Sequence, residues 1–303
     1  MVQVTNQSIY LPNLSHPLRR IGRRLFDFSR EVAVMAIVNR TPDSFHDQGK
    51  MFSLDAAIEA TASAVADGAD WVDIGGVRFG PGPEVTESEE LERVLPVVRA
   101  ARESSDVVIS VDTYRTEVAG QAIHAGADVI NDTSNLQDPA MAEIIADSAA
   151  TLIITHSLSM PPRTVVRHPA YQDVVGEVTS LLRERAALAG RLGLPADRII
   201  IDPGHDLNKN TYHSLELTRR LAEVAALGYP VLVAVSNKDF IGETLDRPQH
   251  ERLEGTLAAI SVCILQGARI VRIHDVKAAV AATRMVEAIL GFRPPAIARH
   301  NLV

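Results

Sequence analysis

The chain has 303 residues, enough for one large domain or two ordinary ones, and 46% of them are apolar, enough for a sizeable core. A net charge of -8 argues against general affinity for nucleic acid or an anionic membrane, and a lone cysteine, Cys263, excludes an intramolecular disulfide and a cysteine-rich zinc site. No apolar run reaches ~18 residues and the N-terminus has no signal-peptide core, so the expectation is a cytoplasmic protein.

Residues 1–30 hold Pro12, Pro17 and the arginines Arg19, Arg20, Arg23, Arg24 and Arg30. They read as an N-terminal extension, with a short basic helix expected at Leu18–Phe28. Residues 31–303 read as one domain in which short apolar runs alternate with amphipathic stretches. Strands are expected at 32–39, 71–76, 107–113, 129–133, 151–156, 199–204, 230–236 and 270–275. Helices are expected at 54–67, 87–103, 115–125, 139–148, 171–192, 211–227, 250–266 and 277–290. Gly68, Gly126 and Gly267 each stand where a helix ends and the next strand begins, the usual place of a left-handed cap. This pattern predicts an α/β fold, a (β/α)8 TIM barrel in a single domain. A doubly wound open sheet would want a glycine-rich turn after the first strand, and Asn39-Arg40-Thr41-Pro42 is not one.

In such a barrel the chemistry sits at the C-terminal ends of the strands. Those ends carry Asn39, Asp73, Asp112, Asn131, His156, Asp202, Lys238, Arg272 and His274. Strand alternation puts Arg272 and His274 on one face of Ile270–Asp275. A charged Arg272 in an apolar strand needs an anionic partner, either a structural salt bridge or a bound anion. Asp112, Asn131, Asp202 and Lys238 combine acceptors, an amide and an ammonium, a set suited to a flat heterocycle with several N–H groups. Asn39, Arg272 and His274 suit a phosphate or pyrophosphate, with a divalent cation sharing the Asn39 oxygen.

Seven motifs then coincide in order with one family. Asn39-Arg40-Thr41-Pro42-Asp43-Ser44-Phe45, Asp73-Ile74-Gly75-Gly76, Ser110-Val111-Asp112-Thr113, Ile130-Asn131-Asp132, Asp202-Pro203-Gly204, Ser236-Asn237-Lys238-Asp239-Phe240-Ile241-Gly242 and Arg272-Ile273-His274-Asp275 resemble dihydropteroate synthase, from about Val32 to Phe292. The resemblance implies transfer of 6-hydroxymethyl-7,8-dihydropterin, from its pyrophosphate, to p-aminobenzoate, with Mg2+ and commonly as a homodimer. It implies that Asp112, Asn131, Asp202 and Lys238 hold the pterin, Arg272 and His274 the pyrophosphate, and Asn39 the metal. Dimerisation is expected through the helices after the seventh and eighth strands, where Leu253, Leu257, Ile260 and Ile264 make more than one apolar stripe.

The departures concentrate on the rim. The family's Glu-Ser-Thr-Arg-Pro-Gly loop is here Val77-Arg78-Phe79-Gly80-Pro81-Gly82, so its threonine and arginine become Phe79 and Gly80, and Arg78, two positions early, is expected to point elsewhere. The family's Ser-Arg-Lys is Ser236-Asn237-Lys238, which removes a cation beside the arylamine carboxylate. After Asp202-Pro203-Gly204, where the family has Gly-Phe-x-Lys, stands Asp206-Leu207-Asn208-Lys209, and Asp206 or the preceding His205 is a candidate to block the mouth. Losing one charged clamp costs on the order of 2–3 kcal/mol, and a misplaced closing loop ~100-fold in rate. The sequence therefore predicts a pterin-binding paralogue with weak or absent synthase activity. The alternatives are a working synthase with a tolerant second site, or a related pterin-binding barrel without this activity.

Overall fold

The computed structural model describes residues 9–41, 53–78, 80, 82–158 and 168–300. Phe79 and the stretch from Pro42 to Gly49 in the first motif lie outside the described residues.

The chain opens with a two-stranded antiparallel hairpin, β1 (Leu18–Ile21) and β2 (Arg24–Asp27), where a basic helix was expected. Leu18, Ile21 and Leu25 mimic helical spacing, but the side chains that bury here alternate: Arg19 and Ile21 on β1, then Phe26 and Phe28. Gly22 turns the chain at φ 56, and a Cβ there would collide with the Asp128 carboxylate, so the turn needs glycine.

The barrel begins with β3 (Ala33–Asn39), α1 (Leu54–Ala66), β4 (Trp71–Gly75), α2 (Glu87–Ser104), β5 (Val108–Asp112) and α3 (Thr116–Ala125). It continues with β6 (Val129–Asp132), α4 (Ala140–Ala146), β7 (Thr151–Thr155), α5 (Val174–Arg191) and β8 (Ile199–Asp202). The helix expected at 211–227 is two, α6 (Thr211–Arg219) and α7 (Leu221–Ala225), broken at Arg220. After the short β9 (Val231–Val233) comes α8 (Asp239–Leu245), which the sequence reading did not foresee, followed by α9 (Leu253–Leu265), β10 (Ala268–Ile273) and α10 (Val276–Ile289). Among the described residues the strands from β3 onward close into one barrel, in the order β10-β3-β4-β5-β6-β7-β8-β9, and every ladder is parallel. The expected caps are present: Gly68, Gly126 and Gly267 have φ of 96, 116 and 103.

Alternation with period 2 decides what fills the barrel. Met35, Trp71, Val108, Val129, Ile153, Ile200, Leu232 and Ile270, one from each strand, form a buried apolar layer at the N-terminal end of the barrel. Phe26 and Phe28 from the hairpin belong to the same cluster; their rings stack at 5.6 Å, and Phe26 meets the Trp71 ring edge-on at 5.7 Å. The hairpin thus plugs the barrel from below. The opposite strand faces pack against the helices in the larger core, which holds Val72, Ile109, Ile130, Leu152, Ile201 and Val271.

Candidate active site

Two residues beyond the apolar layer, the interior turns polar on six of the eight strands, at Asp73, Ser110, Asn131, Thr155, Asp202 and Arg272, while the β3 and β9 positions carry Ile37 and Ala234. Four residues beyond it stand Asn39, Asp112, Ser236 and His274. The period of the strand therefore sets the depth of each side chain. A cavity of ≈ 510 Å³ opens at this end, lined by Asn39, Thr41, Arg78, Asp112, Asp206, Ser236, Asn237, Lys238, Arg252, Arg272 and His274 among others.

Arg272 is the hub. Its Nε donates to Asp73 Oδ2 at 2.6 Å, and a terminal nitrogen donates to Asp112 Oδ2 at 3.2 Å. Burial opposes the charge on Arg272, but Asp73 and Asp112 more than offset it, and its pKa rises. Burial pushes Asp112 up to about 7, against the pull of Arg272 and with Asp73 adding to the rise. The structural salt bridge is therefore present, and a bound anion would have to share Arg272 with it. Asp73, noted at its strand end but given no role, is the partner the sequence reading missed. Its one signal was its place two residues after Trp71.

Five of the seven candidate residues, Asn39, Asp112, Lys238, Arg272 and His274, line one cavity. Asn131 and Asp202, in the same strand layer as Arg272, do not line it and are 2% and 3% exposed. Asn131 Nδ2 donates to Asp73 Oδ2 at 3.2 Å, and its Oδ1 accepts from the Thr155 hydroxyl at 3.3 Å. Asp202 Oδ1 accepts from the Gly204 N–H at 2.7 Å, and burial lifts its carboxyl to about 6 despite that bond and nearby Lys238. Lys238 Nζ donates to the His205 carbonyl at 2.9 Å, and burial lowers its pKa against the pull of Asp206 and Asp202. His274 Nδ1 lies 3.0 Å from the Ser236 hydroxyl, which also accepts from the His274 N–H at 3.1 Å.

Beneath the cavity lies a second polar cluster. Lys209 Nζ sits 3.0 Å from His156 Nδ1 and donates to the Gly204 and Leu207 carbonyls at 2.8 and 3.1 Å. Burial brings its pKa down to about 7.

Three expectations about the rim change. Arg78 does not point elsewhere: it lines the cavity. His205 does not block the mouth, being fully buried below the cavity with its ring against Phe240. Asp206 does line it, but as an anchor: its carboxylate accepts from the Ser214 hydroxyl at 2.7 Å and the Phe240 N–H at 3.2 Å, at a backbone φ of 61.

The model of the family described as "Pterin binding enzyme" matches residues 35–274, most of the chain and the whole set of strand ends above. The chain belongs to the pterin binding enzyme family. "Inactive dihydropteroate synthase 2" of Mycobacterium tuberculosis is 46% identical over 267 residues, covering 86% of this chain and 84% of that protein. "Dihydropteroate synthase" of Synechocystis is 39% identical over 292 residues, covering 95% of this chain and 99% of that one. Among solved structures, Yersinia pestis dihydropteroate synthase in a sulfonamide drug complex superposes with a TM-score of 0.86 at 35% identity, covering 90% of this chain and 99% of that one. Within the family this chain is a divergent paralogue of dihydropteroate synthase.

Proposed function

We propose that this protein binds a pterin carrying a pyrophosphate group and has weak or no dihydropteroate synthase activity. The observation that carries this is the make-up of one cavity: Asn39, Asp112, Lys238, Arg272 and His274 line it together, while Asn237, which also lines it, carries no charge. In this reading Asp112, Asn131, Asp202 and Lys238 receive the heterocycle.

Arg272 and His274 would hold the pyrophosphate. Mg2+ would share the Asn39 amide oxygen with the phosphate oxygens. Asn39 supplies one neutral oxygen, and the remaining ligands would come from phosphate oxygens and water. When bound, the ion would neutralise charge on the leaving group. In the transfer the methylene C–O bond of the pterin breaks and pyrophosphate leaves toward Arg272 and His274. The arylamine nitrogen then bonds that carbon and loses a proton. Without fixed cations at positions 80 and 237 the arylamine is poorly aligned, and alignment is where such a reaction gains its rate.

The protein would act as a homodimer. Of the four residues expected to mediate contact, Ile260 and Ile264 are buried in the core, while Leu253 and Leu257 are half-buried. The exposed apolar side chains on these helices are Ala258 and Val262 on α9 and Ala281, Met285 and Ile289 on α10, a more suitable surface. Among the described residues no helix is long and apolar enough to cross a membrane.

Calorimetry with pterin pyrophosphate and Mg2+, followed by addition of p-aminobenzoate, tests the function. Pterin binding without pyrophosphate release supports it. Turnover at roughly 1 per second replaces it with the second reading, a working synthase, which the intact inner wall favours. Failure to bind any pterin pyrophosphate rejects both.

A further inference from the structure

The loop after β8 has three left-handed residues, Gly204, Asp206 and Asn208, at φ 67, 61 and 53. Two of them are not glycine, so this conformation costs free energy and lasts only because its surroundings impose it. The start of the loop is fixed by Asp202, whose Oδ1 accepts from the Gly204 N–H at 2.7 Å. A Cβ at 204 would collide with the His156 carbonyl, so the approach to the end of β7 needs glycine. The far end is fixed by Asn208. Its Oδ1 accepts from the Ser157 hydroxyl at 3.0 Å and the Leu158 N–H at 2.8 Å, and its carbonyl accepts from the Tyr171 hydroxyl at 3.1 Å. The middle is held by Lys209, which is 7% exposed. Its ammonium donates to the Gly204 carbonyl at 2.8 Å and the Leu207 carbonyl at 3.1 Å, and so grips the backbone on both sides of His205 and Asp206. His156 Nδ1 lies 3.0 Å from the same nitrogen; burial and Lys209 hold the imidazole pKa well below its usual value, so the ring is neutral and Nδ1 can accept. An ammonium buried against two carbonyls and a neutral ring is costly to place. What it steadies has a use: the His205 carbonyl accepts from Lys238 Nζ at 2.9 Å.

We propose that Lys209 is a positioning residue for recognition of the heterocycle: by gripping the loop on both sides of His205 it fixes the carbonyl that aims the Lys238 ammonium. This rests on the function proposed above, in which Lys238 meets the pterin. Lys209 lies outside the cavity lining and acts only through the loop, whose Asp206 and Leu207 form part of the cavity wall. The Asp206 carboxylate also accepts from the Phe240 N–H at 3.2 Å, so the same loop meets the helix that starts beside Lys238. The diphosphate half of the site is independent of it. Arg272 and His274 are held by Asp73, Asp112 and Ser236, none of them on this loop. Loss of Lys209 therefore acts on the ring and spares the diphosphate.

The test uses the full chain with Mg2+ and compares binding of pterin pyrophosphate with binding of inorganic pyrophosphate. Lys209→Met keeps the length of the side chain and removes its donors. It should weaken pterin pyrophosphate binding by ~10-fold or more and leave inorganic pyrophosphate within ~2-fold of the parent. A double-mutant cycle shows whether the effect passes through Lys238. Added to Lys238→Met, Lys209→Met should cost ~3-fold or less, because the group that it aims is gone. A lysine that merely supports the fold would cost the same in both backgrounds, and that result overturns the proposal. So does a folded Lys209→Met that binds pterin pyrophosphate as the parent does, or one that loses both probes equally. If Lys209→Met does not fold, Tyr171→Phe is read in its place: it removes one bond to the loop and should weaken pterin pyrophosphate alone, by ~3-fold. No change there also overturns the proposal. Failure of the parent to bind pterin pyrophosphate removes the underlying function and this role with it.

Discussion

Arg272 Nε and Asp73 Oδ2 meet at 2.6 Å although their residues are 199 positions apart, and the pair reaches across β3, which lies between their strands. Asp73 is fully buried and Arg272 15% exposed, so the ion pair is held inside the barrel, away from solvent. Arg272→Ala should destabilise the fold by about 3–5 kcal/mol, because it leaves Asp73 charged and unpaired. It should also weaken diphosphate binding by about 2 kcal/mol, from the loss of a charge-assisted contact. Arg272→Ala with Asp73→Asn should recover much of the stability and none of the binding. Urea denaturation and calorimetry separate the two effects; unchanged diphosphate affinity would leave Arg272 a structural residue only.

Stability of the ligand-free protein should depend on pH in a defined direction. Burial raises Asp112 from 3.8 to about 7, so the folded state keeps a proton that the unfolded chain has already released. Its contribution is present at acid pH and is lost as pH rises from about 4 through about 7. Lys209, lowered from 10.5 to about 7, acts in the opposite sense: the unfolded chain binds the extra proton, so stability grows from about pH 7 toward about pH 10. Denaturation midpoints across this range should show the fall and the recovery. Asp112→Asn should flatten the acidic limb, and an unchanged limb would show that Asp112 is ionised throughout.

Restoring the rim should raise transfer. Asn237→Arg with Phe79→Thr and Gly80→Arg should increase turnover of p-aminobenzoate by ~10-fold or more, the value of one recovered charged contact. The change at 237 carries a cost. Asn237 has φ 56, a conformation asparagine tolerates better than most residues, and its Oδ1 accepts from the Thr256 hydroxyl at 3.3 Å. A drop of about 1 kcal/mol in stability should accompany the gain. Steady-state assays that detect no gain in a folded triple variant would move the cause of low activity away from the rim.

The apolar stripe on α9 and α10 should mediate a homodimer. Val262 and Met285 are 43% and 61% exposed, and burying such side chains contributes roughly 1.5–3 kcal/mol each. Val262→Asp with Met285→Asp should shift sedimentation to the monomer while leaving the circular-dichroism spectrum intact. A parent that sediments as a monomer at micromolar concentration counts against the dimer.

The hairpin plug should act on stability alone. Phe26 is 3% exposed between Phe28 and Trp71, and Phe26→Ala should cost about 3–5 kcal/mol. Ligand affinity at the opposite end should be unchanged, as equilibrium binding below the melting transition can establish.

The barrel was legible in the sequence because its signals are local. Helices capped by Gly68, Gly126 and Gly267 alternate with short β-branched runs, and each signal spans a few residues. Alternation along single strands was enough to place Arg272 with His274, and Asn39 and Asp112 at the mouth. The hairpin was misread because Leu18, Ile21 and Leu25 fit a helix just as well, and only the open end of the barrel gives Phe26 and Phe28 a place to bury. The tertiary structure alone decided that Asp73 meets Arg272, that Asn131 and Asp202 are buried outside the cavity lining, and that Arg78 lines the same cavity as Arg252. Each of these pairs residues from distant elements. Their meeting depends on how the strands close and stagger around the barrel, a relation that no stretch of sequence contains.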